Sequence, residues 1–316
     1  MAVVPMERIR ICALKKERKP ILETLQRRGV IELCDVPEEE QVFVKTDVSE
    51  SASHLTRHKM MALQALEILE QAAPEKKSML SAFQGRKTVT SDKYDGFVDV
   101  KREAKQTARK IVDLSRSIQE NKAEVIKLRL QQEALEPWKS LDVPLNFSGT
   151  RSTAAFIGIL PGAWEESAVY EAFAELAPLE VEILSIVKDQ TFMFLLCLKK
   201  HSERMMELLR MNGFAKPGVQ SILPPVKQQE KCDKKTASLK KEIADATAEL
   251  KSLSDKRELL CFYADYEAVR EEKYAVISRL LQSKHTFVLT GYIPKRDAKS
   301  LKDYLEGKYT VDVQLA

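Results

Sequence analysis

The sequence predicts an α+β protein in which two small βαββαβ lobes are joined by a long antiparallel helical hairpin. Both ends of the chain alternate apolar and polar residues with the period of a half-buried strand, and similar patterns recur in the middle. Two long segments between these regions repeat apolar residues at steps of three and four. Charged residues make up 31% of the chain and glycine and proline are sparse, which favours long solvated helices.

The first lobe is predicted from the two ends of the chain, residues 1–48 and 285–316. The N-terminal part gives a strand at 7–14, a helix that ends at Gly29, and a second strand in "VIELCDV" at 30–36. The C-terminal part gives a strand in "HTFVLTG", a helix with Ala298, Leu301 and Leu305 on one face, and a strand in "YTVDVQL". Neither βαβ unit can bury a core alone, so we expect the ends to close into one ferredoxin-like sheet with two helices on one face.

The second lobe is predicted at residues 148–224, with the same ferredoxin-like order of elements. Its four strands are expected at 153–160, in "LEVEILSIV", in "TFMFLLCL" and in "GVQSIL", and its helices at 164–176 and 202–212. Gly158 and Pro161 stand where the first lobe has Gly291 and Pro294. Each pair is expected to end a strand and lead into a helix, since glycine permits close backbone approach and proline suits a first helical turn.

The helical hairpin is predicted at residues 49–147 and 225–284. The outgoing seam is interrupted by Asn121 and Gln132, and the returning seam by Arg257, where bending is expected. Helices of about 40 and about 55 residues would be roughly 60 and 80 Å long. A shorter helix at about 50–73 is expected to pack alongside, and residues 74–94 are interpreted as a bend or loop.

No catalytic, cofactor or metal site is predicted. The five cysteines form no C-x-x-C pair, no phosphate-binding glycine loop occurs, and the 51 basic against 47 acidic residues give no nucleic-acid footprint. His54 and His58 have a spacing that suits a metal, but no third ligand is evident, so a solvated helix face is preferred. The longest apolar run, residues 192–198, is too short to span a bilayer, and we expect the fragment to be soluble.

Two surfaces are candidates for partner binding. The first is a group of basic residues around the first helix, which could dock on an acidic protein or a membrane surface or could form only a solvated face: Lys15, Lys16, Arg18, Lys19, Arg27 and Arg28. The second is the aromatic pair Trp164 and Tyr170, which lies off the inward line of its helix. This pair could contact a partner, or Trp164 could pack on the entrance of its own helix.

The segments "MERIRICALKKERKPILETLQRRGVIEL" and "TFVLTGYIPKRDAKSLKDYLEGKY", with the long helices between them, resemble the cytoplasmic N-terminal half of subunit I of V/A-type ATPases. That subunit is the equivalent of the eukaryotic V-ATPase a subunit, and the resemblance covers essentially the whole chain. It implies a non-catalytic stator at the cytoplasmic face of a membrane. The implied partners are a heterodimer of peripheral stalk subunits, the membrane half of the same subunit and the rotor-cap subunit of the central stalk.

The resemblance leaves proton translocation unassigned, because the chain stops at Ala316 before any segment that could carry it. An alternative from another class is a regulatory ligand-binding protein, since ferredoxin-like lobes often bind small molecules at their sheets or interfaces.

Overall fold

The computed structural model describes residues 4–34, 44–45, 47–75 and 88–316. It is a mixed protein of long helices and two antiparallel sheets. Its contacts divide the chain into two units, one of Met1–Val112 with Lys251–Ala316 and one of Asp113–Leu250. Among the described residues, no helix has an apolar stretch of the length that a bilayer crossing requires.

The strands are β1 Met6–Leu14, β2 Glu32–Cys34, β3 Val44–Lys45, β4 Thr153–Pro161, β5 Leu179–Val187, β6 Gln190–Leu198, β7 Leu281–Gln282, β8 Thr286–Pro294 and β9 Val311–Leu315. The helices are α1 Arg18–Arg28, α2 Ser49–Ala72, α3 Ser91–Leu135, α4 Glu166–Ala172, α5 Ser202–Met211, α6 Pro225–Ser252, α7 Arg257–Arg279 and α8 Lys295–Lys308.

The sheet of the first unit joins the two ends of the chain, as the sequence predicts. β1 lies between β8 and β9 and is antiparallel to both, while β2 pairs with the other side of β8. The pairing of β1 with β8 runs from Met6 opposite Pro294 to Leu14 opposite Thr286. β7 also pairs with β8 and carries β3 at its edge. Of the predicted second strand, Glu32–Cys34 is confirmed, and residues 35 and 36 lie outside the described part of the chain.

Alternation along β1 explains the core of this unit. Ile9 and Ile11 are fully buried, and both helices lay their apolar faces on the same side chains. The residues that α1 and α8 bury there are Ile21, Leu22, Leu25, Ala298, Leu301 and Leu305. α1 ends as predicted, because Gly29 adopts the left-handed conformation at φ 62° and its N–H bonds to the carbonyl of Leu25.

The helices of the first unit share an aromatic core. α2 packs against α7, and Phe97 on α3 meets the rings of Phe262 and Tyr266 at centroid distances of 4.5 and 5.1 Å. The sequence analysis predicts one long returning helix that bends at Arg257, whereas the structure has two separate helices. A 3-10 turn at Leu253–Lys256 separates α6 from α7, and Arg257 begins the new helix.

In the second unit, the end of α3 lies antiparallel to α6 along a thin apolar seam. Leu128 on α3 is buried with Cys232 and Leu239 on α6. The two predicted interruptions of the outgoing seam are cross-helix hydrogen bonds, because Asn121 donates to Glu242 at 3.2 Å and Gln132 donates to Asp233 at 2.6 Å. The polar residues in the heptad pattern therefore connect the two helices.

The sheet of the second unit has three strands in the order β4-β6-β5, so the predicted fourth strand in "GVQSIL" is wrong. Just before that segment, Ala215 pairs with the outer edge of β4, where it exchanges two backbone hydrogen bonds with Ile159 at 2.8 and 2.9 Å. Pro217 follows two residues later and has no N–H to continue a ladder, which explains why pairing stops. The predicted helix at 164–176 is α4 followed by a 3-10 turn at Ala174–Leu176.

The two Gly-x-x-Pro joints do provide the predicted close approach. A Cβ at Gly291 would collide with the backbone carbonyl of Glu32 in β2. A Cβ at Gly158 would collide with the ring of Phe214 and with the carbonyl of Ala215. Glycine is therefore required at each joint because another chain segment crosses directly above it. Pro294 immediately precedes α8, whereas Pro161 ends β4 several residues before α4.

Candidate partner-binding surfaces

The six basic residues predicted around α1 lie at its two opposite ends. Arg27 and Arg28 are in the last turn, while the others belong to a 3-10 turn at Lys15–Glu17 or to the first turn of α1. About ten residues of helix, or roughly 15 Å, separate the two groups. We call the residues at the start the N-terminal basic cluster, namely Lys15, Lys16, Arg18 and Lys19.

Arg27 and Arg28 both interact with other side chains of the first unit. Arg27 donates to both carboxylate oxygens of Asp95 at 2.9 and 2.8 Å. The guanidinium of Arg28 lies over the ring of Tyr304, 4.2 Å from its centroid, in a cation–π arrangement. Both arginines are exposed, and each has an intramolecular partner.

Three of the four side chains in the N-terminal basic cluster are exposed. Arg18 donates to the side-chain oxygen of Gln282 at 2.7 Å and is half-buried, while Lys15, Lys16 and Lys19 are exposed. Lys15, Lys16 and Lys19 therefore place three exposed ammonium groups within one short segment, and no ion pair among the described residues involves them.

Trp164 and Tyr170 have different environments in the second unit. Trp164 is half-buried against the lobe core, its indole N–H donates to the carbonyl of Pro161 at 2.8 Å, and its backbone N–H donates to Thr191 at 2.9 Å. Through these contacts Trp164 packs at the entrance of its own helix. Tyr170 is 37% exposed, and its hydroxyl accepts a 3.3 Å hydrogen bond from the N–H of Val181. Its ring is available at the surface.

His54 and His58 lie on α2 with ring centroids 6.5 Å apart. Within the described ranges, no group of three or more His, Cys, Asp or Glu residues is placed to hold a metal ion. His58 instead faces a buried carboxylate, with its Nδ1 4.0 Å from Oε1 of Glu267. Burial, followed by the positive charge of Lys105, lowers the pKa of His58, while Glu267 opposes that change.

Glu267 is a buried charged centre that the sequence analysis missed. Its side chain is fully buried between α2, α3 and α7, and the ammonium of Lys101 lies 2.6 Å from Oε1. Arg270 is 3.9 Å from Oε2, yet neither oxygen receives a hydrogen bond of good angle from the described residues. The sequence carried a signal, since Glu267 continues the apolar stripe of Leu260 and Tyr263 at helical spacing.

Tyr263 completes this centre. Its hydroxyl is buried and lacks a hydrogen-bond partner among the described residues. Burial, followed by the negative charge of Glu267, raises the pKa of the phenol. The centre consists of one buried ion pair with an unpaired hydroxyl beside it, and Lys101 compensates the buried charge.

No protein-family profile and no curated protein sequence matches the chain. Among solved structures, the chain is similar to one described as the cytoplasmic N-terminal domain of subunit I, homolog of subunit a, of V-ATPase. The sequence identity is 15% and the TM-score is 0.48, over 98% of this chain and 100% of that chain. That protein belongs to the family that the terminal segments of this sequence resemble.

Proposed function

We propose that the chain is a non-catalytic stator scaffold of a rotary V/A-type ATPase. In this role it would link peripheral stalk subunits to a membrane half that translocates protons, at the cytoplasmic face of the membrane. The observation that carries the proposal is the union of the two terminal segments on which the family resemblance rests. β1 and α1 from one segment, with β8 and α8 from the other, build one sheet and one core.

The proposed division into parts follows the sequence analysis: a proximal lobe of residues 1–48 and 285–316, a helical hairpin of 49–147 and 225–284, and a distal lobe of 148–224. The strand order β2-β8-β1-β9 supports a ferredoxin-like proximal lobe. In the distal lobe the three-stranded sheet keeps part of that arrangement. A coiled-coil hairpin is supported by the apolar seam and cross-helix hydrogen bonds of α3 with α6.

A stator transmits force through many side-chain contacts between rigid elements and needs no reaction centre. Long helices joined by an apolar seam and by cross-helix hydrogen bonds suit that task, because load is shared along their length. The N-terminal basic cluster and Tyr170 are the proposed contact points for the stalk heterodimer. We extend the proposal to the membrane half and to the rotor-cap subunit of the central stalk from the family resemblance alone.

The stator proposal is tested by calorimetric titration of the full chain with the peripheral stalk heterodimer of its own organism. We expect binding, and we expect the triple variant Lys15→Glu, Lys16→Glu, Lys19→Glu to bind at least about tenfold more weakly. A matched control reverses three exposed lysines of α6, Lys234, Lys240 and Lys241, and should bind like the unmodified chain. Absence of binding by the unmodified chain would remove the stator proposal.

The alternative, a regulatory ligand-binding protein, has one observation in its favour. A pocket of about 240 Å³ lies in the first unit between α1, β2 and α7, with Leu25, Ile31 and Val276 among its lining residues. Typical small-molecule sites are about 300–1,000 Å³, so this pocket is small for the purpose. A thermal-shift screen with amino acids and nucleotides distinguishes the two proposals, since a stator predicts no shift.

A further inference from the structure

An open groove of about 1040 Å³ lies in the second unit, beside the outer edge of β4. β4 lines its floor, α5 forms one wall, and the segments around Phe147 and Phe214 form the others. Ile157, Met206 and Phe214 contribute apolar surface to it. The groove occupies the side of the sheet where the predicted fourth strand is missing.

The floor of the groove contains an unpaired length of strand edge. In β4, the N–H and C=O of Ile159 point outward to Ala215, and the N–H of Ala155 points outward to the carbonyl of Ser148 at 3.1 Å. Because main-chain groups alternate in direction along an antiparallel strand, Ile157 also points its N–H and C=O outward. No hydrogen bond found within residues 88–316 reaches these two groups or the carbonyl of Ala155.

Other chain segments pair with both ends of this strand edge, so the unpaired groups lie in a gap between them. Ser148 pairs with one end of β4 and Ala215 with the other, which leaves a gap centred on Ile157. Buried backbone groups are normally paired, and an unpaired edge is a template for another extended chain. A helix cannot satisfy such an edge, since its own N–H and C=O groups are already bonded to each other.

The rim of the groove is mainly positive. Lys199, Arg210 and Lys216 line it, and no ion pair of the described residues uses them. Of the two acidic residues at the rim, Glu207 is already paired with Arg204 at 3.2 Å, which leaves Glu203. Three unpaired cations against one unpaired carboxylate favour a negatively charged occupant.

We propose that this groove binds an extended, acidic segment of a partner protein. The backbone of that segment pairs with Ile157 at the gap in the edge of β4, its apolar side chains contact Met206 and Phe214, and its carboxylates meet the basic rim. The segment thereby supplies the sheet contact that "GVQSIL" does not make. This mode of recognition combines main-chain pairing with side-chain pockets. It stands on the groove alone and does not require the stator proposal.

The test uses the full chain and a short fluorescent peptide of alternating Glu and Val, with anisotropy as the measurement. We expect binding that weakens with added salt, and a Lys-Val peptide of the same length should bind at least about tenfold more weakly. A third peptide has the acidic sequence but carries N-methyl groups on all of its backbone nitrogens. Because it cannot donate to the carbonyls of the edge, we expect a similar loss.

Two protein variants locate the site. The double variant Arg210→Glu, Lys216→Glu should bind the acidic peptide at least about tenfold more weakly. The control Lys200→Glu changes a neighbouring exposed lysine that does not line the groove and should leave binding unchanged. Circular dichroism of each variant verifies that the fold is intact.

Four outcomes would overturn the proposal. Equal binding of the Glu-Val and Lys-Val peptides would exclude charge recognition, and equal binding by the rim variant would place the peptide elsewhere. Full binding of the N-methylated peptide would exclude backbone pairing. Concentration-dependent self-association of the chain that the rim variant abolishes would assign the groove to a second copy instead.

Discussion

The helical regions of the two units use polar side chains in opposite ways. In the first unit, α2, α7 and the start of α3 enclose the fully buried Glu267 beside Lys101. In the second unit, the end of α3 and α6 place Asn121 and its partner Glu242 at an exposed rim. The same kind of interruption in an apolar stripe thus gives a desolvated charge in one region and a solvated cross-link in the other.

The difference has an energetic consequence. Removing one partner of a buried ion pair costs about 3–5 kcal/mol, because the other charge is left in a low-dielectric interior. Removing one partner of an exposed pair changes stability by less than about 1 kcal/mol, since water replaces it. Polar residues in the first unit should therefore be far more sensitive to substitution than those in the second.

The largest effect is expected from Lys101→Met, which keeps most of the side-chain length and removes the charge beside Glu267. We expect a loss of about 3–5 kcal/mol in unfolding free energy, measured by denaturant unfolding. The double variant Lys101→Met, Glu267→Leu should regain most of this loss, because no uncompensated charge remains. Arg102→Met on the exposed side of α3 is the matched control, with a change within about 0.5 kcal/mol. Equal losses of unfolding free energy for Lys101→Met and Arg102→Met would show that the pair of Lys101 and Glu267 stabilises the fold no more than an exposed side chain does.

The next effect concerns Arg257, whose guanidinium bonds to the carbonyl of Leu69 at 2.8 Å and to that of Ala73. It also pairs with Glu75 at 3.0 Å, so it caps the C-terminal end of α2. Arg257→Ala should cost about 1–3 kcal/mol, because the last carbonyls of α2 lose their donor. Arg257→Lys should recover only part of the loss, since an ammonium does not reproduce the planar fork. Full recovery in the lysine variant would mean that charge alone stabilises this end.

A smaller effect should appear as a pH dependence through His58. Because its pKa is lowered in the folded chain, the unfolded chain binds more protons below the ordinary histidine pKa. Stability should therefore fall as pH decreases from about 7 to about 5, and His58→Gln should make this fall shallower. The groups facing His58 are His54, Lys101, Lys105, Tyr263 and Glu267. An identical slope in both proteins would exclude His58 as its source.

The parts of the fold that follow a strict period could be predicted from the sequence. The patterns predict β1, β9, α1 and the apolar face of α8, because each of these elements buries one face against a single core. The sequence also predicts close backbone approach at the two glycine joints, but it does not show which chain segment crosses above each glycine. At Gly291 it is the backbone of β2, and at Gly158 it is the ring of Phe214.

The predictions that are wrong or incomplete concern features that depend on contacts between residues distant in the sequence. "GVQSIL" has the composition of a strand, but the nearby Pro217 and the turn of the chain leave only Ala215 paired with β4. The sequence predicts a bend near Arg257 but not the partners of its side chain, which donates to carbonyls at the end of α2. Of the candidate surface residues, the sequence could not separate the engaged Arg27 and Arg28 from the exposed lysines, since their partners are distant in the chain.

The smallest effect, and the one of opposite sign, is expected for Asn121→Leu in the second unit. Asn121 interrupts the seam between α3 and α6 and bonds to the exposed carboxylate of Glu242. A polar residue in such a seam specifies register at a cost in stability. Leucine would extend the apolar seam, and Glu242 would remain solvated without penalty.

We expect unfolding free energy to rise by up to about 1 kcal/mol, in contrast to the loss at Lys101. The control Asn121→Ala removes the hydrogen bond without adding apolar surface and should change stability by less than about 0.5 kcal/mol. A large loss in both variants would mean that the rim of the second unit is as sensitive as the core of the first.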